Sequence, residues 1–122
     1  MRPARPLALL SLCLGLLACA SFEEDRSGAA QDVVRRFFTA LPSGDCARLG
    51  PLLAGPEPGA CEAASAWHEQ GLSLVRVLDV KADGRDANAM LVRARVARQG
   101  RERAEPLLLR VERHADGWKL RL

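Results

Sequence analysis

Asn88-Ala89-Met90-Leu91-Val92-Arg93-Ala94-Arg95-Val96-Ala97-Arg98 places Met90, Val92, Ala94 and Val96 on one side and Arg93 and Arg95 on the other. A strict period of two is the mark of a strand with one buried face. The same alternation continues outward. Leu107, Leu109 and Val111 oppose Leu108, Arg110 and Glu112, and Trp118, Leu120 and Leu122 oppose Lys119 and Arg121. Upstream, Leu72 to Lys81 reads as a further strand. Asp83-Gly84-Arg85-Asp86, Gln99-Gly100-Arg101 and Asp116-Gly117 punctuate the series as turns. Short connections between successive strands predict a sequential antiparallel sheet whose apolar face needs a cover.

The cover lies before Gly71. From Ala29 onward, Ala30, Val33, Val34, Phe37, Phe38 and Leu41 recur at spacings of three and four, with Asp32, Arg35 and Arg36 on the opposite side. Ser27 is the expected N-cap, and Pro42-Ser43-Gly44 stops the helix. Asp45 is placed to cap a second short helix carrying Leu49, Leu52 and Leu53, made irregular by Pro51. After the breaker Gly55-Pro56-Glu57-Pro58-Gly59, Cys61 to Gln70 reads as a third helix. Helices followed by a meander give an α+β class, with the N-terminal helices packed on a curved antiparallel sheet.

The N-terminus carries an address. Arg2 and Arg5 precede an apolar stretch, Leu7 to Leu17, that suits an export signal and is too short to span a membrane. Leu16-Leu17-Ala18-Cys19 at its end resembles the lipobox of bacterial lipoprotein precursors. That resemblance implies a signal peptide over residues 1–18 and lipid on Cys19. It also implies a place on the periplasmic side of the envelope. The polar, acidic run Ala20 to Gly28 reads as a short tether, so residues 19–28 link the anchor to a domain over residues 29–122. Ala20 follows the cysteine, where Asp would retain an enteric lipoprotein at the inner membrane, so the outer membrane is the expected destination. Two or more acyl chains make such an anchor stable.

Charge excludes more than it assigns. The 18 basic and 15 acidic residues leave a net charge of +3, but two of the arginines lie in the export segment. The remainder is almost neutral, which removes the case for nucleic acid. Acids dominate residues 20–69 and bases dominate residues 70–122. Pairing between the helical and sheet layers, together with solvated charged faces, is the expected explanation. A basic sheet surface facing an anionic partner is the alternative.

Outside Cys13 in the export segment and Cys19, the chain has Cys46 and Cys61. An even pair in an oxidising compartment reads as a disulfide. It would tie the second helix to the third and contribute about 3 kcal/mol by the chain-entropy model. Two thiolates with distant His68 and His114 make a poor metal set, and no cofactor is implied.

Val33 to Leu41, followed by Ser43-Gly44-Asp45 and then Leu49, Leu52 and Leu53, resembles the opening of nuclear transport factor 2-like domains, also called ketosteroid-isomerase-like or SnoaL-like. The closing Asp116-Gly117-Trp118-Lys119-Leu120 resembles that family's last hairpin. The resemblance implies a cone-shaped fold with an apolar pocket, and a homodimer through the sheet face. Catalysis of the isomerase type needs a carboxylate base and an oxyanion hole in that pocket. The chain has no tyrosine, and its sheet-half acids fall in turns or on polar faces, Asp79 included. The expectation is therefore a non-catalytic domain. It binds a small apolar or anionic ligand, or a protein partner, near the membrane. The alternatives are a pocket enzyme of the isomerase or dehydratase type, using His68 or a carboxylate, and a structural envelope component. Trp67, His68, Arg76 and Trp118 are the candidate pocket residues. Arg76 shares parity with Leu72, Leu74, Leu78 and Val80, which would place it inside the cone. Pairing with a helix acid, or a bulge that shifts the parity in favour of Val75 and Val77, are the other readings.

Overall fold

The computed structural model describes residues 25–56 and 58–122. The export segment, Cys19 and most of the tether lie outside the described residues. Helix α1 runs through residues 25–40, and its apolar stripe is the one the spacing predicts: Ala30, Val33, Val34 and Phe37 are fully buried. Ser27 is not its cap, because the chain is already helical at Asp25 and residues 25–28 are a turn of α1 rather than tether. An acid suits the N-terminal part of a helix, and the Arg26 guanidinium donates to the Ala87 carbonyl across the molecule, fixing this turn.

Leu41–Ser43 tightens into a 3-10 turn and Gly44 adopts φ 62°, a left-handed conformation that ends the segment. Asp45 caps α2 (Cys46–Leu49), its Oδ1 accepting from the Ala47 N–H at 2.9 Å. Pro51 converts the continuation into a 3-10 turn, Gly50–Leu52. The chain then straightens: Leu53 bridges Leu120, and the Ala54 N–H donates to the Leu120 carbonyl at 2.8 Å. Helix α3 spans Gly59–Glu69, beginning two residues before the expected Cys61. Cys46 and Cys61 are joined in a disulfide, with Cα atoms 5.7 Å apart, so α2 is fastened to α3 across the Pro/Gly loop.

The strands are β1 (Leu72–Asp83), β2 (Asp86–Arg98), β3 (Arg101–Glu102), β4 (Leu107–His114) and β5 (Gly117–Arg121). They form one antiparallel sheet in the order β1-β2-β4-β5, with short β3 also paired to β2. The α1 stripe shares one core with the inner face: Val92, Ala94, Val96, Leu109, Val111 and Leu120. Leu41, Leu49 and Leu53 complete it from the connecting turns.

Strand β1 departs from simple alternation. Its register on β2 slips between Leu74 and Arg76, between Val77 and Asp79, and again at Ala82/Asp83. The first two slips each set two residues of β1 against one of β2 and flip the parity that follows, whereas at Ala82/Asp83 the extra residues lie on β2, beside the hairpin turn. Val77 therefore stands opposite buried Ala94, while Arg76 stands opposite Arg95. The reading that put Arg76 inside the cone is overturned by the bulge at Val75. The expected pairing between layers is also not found. Among the described residues, the salt bridges lie within α1 or within the sheet, and none joins a helix to a strand.

Candidate functional site

The bulge that expels Arg76 helps to build an open groove of about 550 Å³ between α1 and the edge strand β1. Arg35, Phe38 and Thr39 line it from the helix, and Ser73 to Val77 line it from the strand. Helical spacing sets Arg35 one turn before Phe38 and Thr39, so a cation borders an aromatic ring. On the strand, bulged Val75 is 43% exposed beside Arg76. An apolar strip flanked by two guanidinium groups suits an anion with an apolar body. Arg35 donates to Gln31 Oε1 at 3.1 Å, and neither Arg35 nor Arg76 forms an ion pair among the described residues. The Thr39 hydroxyl is committed, donating to the Arg35 carbonyl at 2.8 Å.

The other candidate pocket residues are not gathered there. Trp67 packs edge-on against Phe37, ring centroids 5.9 Å apart, and lies tilted beside Phe38 at 6.2 Å. Its ring is partly buried core. His68 Nδ1 lies 2.9 Å from the Leu41 carbonyl, and its ring stands over Gly44, where a Cβ would come within 3.1 Å. His68 thus fastens α3 to the α1–α2 corner, and Gly44 is required both by its φ and by that ring. Trp118 is paired with Arg113 near the β4–β5 turn. Through the register, that position lies roughly 20 Å along the sheet from Arg76 at about 3.3 Å per residue. Sequence reasoning singled out Arg76 and missed Arg35, which looked like an ordinary solvent-side residue of α1. The contest between Val75 and Val77 for the buried side was the signal that this stretch was irregular.

The far end of the sheet is organised around carboxylates. Arg110 Nη2 lies 2.8 Å from Asp86 Oδ2, and Arg110 Nε lies 2.9 Å from Glu112 Oε2. Its Nη1 also bonds Asp83. Arg121 meets Glu112 through two bonds of 2.6 and 2.8 Å, and His114 Nε2 lies 3.3 Å from the same carboxylate. The Arg121 guanidinium first, then Arg110, holds the Glu112 carboxyl down to about 2 against its partial burial. The Arg85 backbone N–H and the Arg110 side chain lower Asp83, and Lys119 lowers Asp116. These acids are bound in ion pairs, and none lines the α1–β1 groove. No group of three or more His, Cys, Asp or Glu is placed to hold a metal among the described residues. Among them, too, no helix is long and apolar enough to cross a membrane.

No protein-family model matches the chain. No curated protein matches it either. Solved structures do. A chain named Rd1NTF2_05, in a form carrying five substitutions, is 14% identical with a TM-score of 0.54, covering 75% of this chain and 92% of its own length. RPA3114, a SEC-C motif-containing protein from Rhodopseudomonas palustris, is 19% identical with a TM-score of 0.51, covering 83% and 82%. A Sinorhizobium meliloti chain described as a candidate polyketide cyclase is 20% identical over 74% and 92%, at a TM-score of 0.43 too loose to add weight. Helices on a curved five-stranded antiparallel sheet, with an NTF2 chain superposing over most of its length, give this protein the NTF2-like α+β cone fold.

Proposed function

We propose that this chain is a lipid-anchored protein of the bacterial envelope that holds a small anion with an apolar body, without catalysing its conversion. The groove between α1 and β1 carries the reading. Two arginines with no acid partner among the described residues flank Phe38, Leu74 and exposed Val75. A carboxylate or phosphate headgroup would take the guanidinium groups, and a short apolar chain would cover Val75 and Phe38. The binding reading is favoured over the enzymatic one by where the candidate bases stand. His68 is bonded to the Leu41 carbonyl and does not line the groove, and Glu112, the carboxylate pulled furthest from its ordinary value, is committed to Arg110 and Arg121 at the other end of the sheet. The anchor rests on Leu16 to Cys19 and the apolar run before them.

Two measurements test the two halves separately. Isothermal titration with decanoate should show saturable binding, weakened about tenfold by Arg76→Gln through loss of one charge-assisted pair. No heat above that of the Arg76→Gln variant would remove the groove as the site. Cell fractionation should find the chain in the membrane pellet and its Cys19→Ala variant in the soluble periplasm. Equal distribution of both would remove the anchor.

A further inference from the structure

The β2–β3 turn presents a second arrangement of arginines, and the protein contains its own control for it. Arg98 and Arg101 are direct cross-strand partners across a two-residue turn. Gln99 has φ 49° and Gly100 has φ 81°, the doubly left-handed pattern of a tight hairpin. Glycine adopts this readily. Gln99 is the one non-glycine residue with positive φ among the described residues, so this turn is held at a conformational cost. The geometry forces two guanidinium-bearing residues into direct opposition, which is unfavourable in a sheet unless something lies between the charges.

At the other end of the sheet the same problem has an internal solution. Arg110 and Arg121 are also direct cross-strand partners, and Glu112 bridges them with bonds from both. Among the described residues no acid does this for Arg98 and Arg101. Neither forms a salt bridge or a side-chain hydrogen bond among the described residues. The nearest acid in the chain, Glu102, lies on the next position of β3 and pairs instead with Arg95 at 3.5 Å. Arg98, Gln99 and Arg101 line an open hollow.

We propose that Arg98 and Arg101 form a binding site for a free oxyanion, a phosphate or carboxylate group that occupies the place Glu112 takes between Arg110 and Arg121. Two guanidinium forks in opposition present donors to both sides of such a group, a geometry lysines would not reproduce. The site is distinct from the α1–β1 groove, with which it shares no lining residue. Its position favours a soluble source. The α1 turn bonded to Ala87 lies at the β1–β2 end, and the thirteen residues of β2 separate that end from Arg98 by roughly 40 Å at about 3.3 Å each. With the chain anchored through Cys19, the arginine pair would lie at the end of the sheet remote from the start of α1, where the tether joins the domain. This orientation rests on the anchor proposed above, whereas the anion site does not.

The test is a titration of the full-length, 15N-labelled chain in non-ionic detergent with inorganic phosphate at constant ionic strength, followed by amide and arginine Nε–Hε shifts. The expected result is a saturable response confined to residues 98–102. Arg98→Gln/Arg101→Gln should weaken it about tenfold or more, while Arg98→Lys/Arg101→Lys restores it in part. Unchanged amide shifts elsewhere would show that both variants are folded. A second arm measures flotation with phosphatidylglycerol and phosphatidylcholine vesicles, comparing wild type with the Gln double variant. Shifts spread evenly over all exposed arginines, or an equal response in the Gln variant, would overturn the site. Arginine-dependent flotation on phosphatidylglycerol without saturable phosphate binding would overturn the free anion as its ligand.

Discussion

The two ends of the sheet are built from the same residue type and handle it in opposite ways. At the β1–β2 end, Arg110 and Arg121 share Glu112 and Arg110 also reaches Asp83 and Asp86, so opposed cations become a lattice that ties the β1–β2 turn to β4 and β5. At the β2–β3 end, Arg98 and Arg101 are opposed with no acid between them among the described residues, and Arg76, on β1, forms no ion pair among them either. The difference separates arginines that hold the fold from the arginines we propose take a ligand. A count of charges could not make that distinction, because both ends are basic in sequence.

The largest expected effect sets the scale and lies at neither end. Replacing Cys46 and Cys61 together by Ala should cost about 3 kcal/mol in urea unfolding, since the bridge closes a separation of 15 residues. A loss near zero would mean that α2 is held by Leu49 and the Leu53–Leu120 bridge alone. Next comes the closed end. Glu112→Gln should cost about 2 kcal/mol, because it removes the negative charge between two arginines and turns one of their two acceptor oxygens into a donor. The same carboxylate gives a pH signature. Its folded value of about 2 lies below the ordinary 4.5, so its contribution is complete above that ordinary value and is lost as pH falls toward 2. Asp83 and Asp116 are lowered as well and act in the same direction. Thermal melts should therefore fall steeply between about pH 4.5 and 2 in the wild type and less steeply in Glu112→Gln. Parallel pH profiles would break the contrast between the two ends.

Smaller effects sharpen it. The Arg93–Asp79 pair, half-exposed on the outer face with N···O 2.7 Å, should show a coupling of about 0.5 kcal/mol in a double-mutant cycle. Arg98→Gln should leave stability unchanged or slightly raised, by relief of the opposed charge, with no effect on the acid limb of the pH profile. A destabilisation equal to that of Glu112→Gln would show that the open end is structural after all.

Much of this architecture was legible from residue order. The alternation of Met90, Val92, Ala94 and Val96, and of Leu109 and Val111, placed these side chains on the inner face because a half-buried strand has no other way to hide them. Pro42-Ser43-Gly44, Asp45 and the Cys46–Cys61 pair were readable because their local chemistry decides their geometry. What escaped depended on neighbours. The bulges of β1 arise from fitting that strand to β2, so the parity of Arg76 could not be fixed from β1 alone. His68 looked like a candidate base until the Leu41 carbonyl and Gly44 came to lie beside it. Arg35 belonged to the polar side of α1's pattern like any solvated residue, and its place in a groove follows only from how α1 lies along β1.

The central claim is that the groove with Arg35 and Arg76 holds an anionic ligand. Its most direct test is native mass spectrometry of residues 20–122, secreted to the periplasm of the natural host and purified gently. The account predicts extra mass that leaves on denaturation, identifies as an organic anion, and is absent from the Arg76→Gln protein. A clean apo mass for the wild type, or the same adduct on the Arg76→Gln protein, would contradict it.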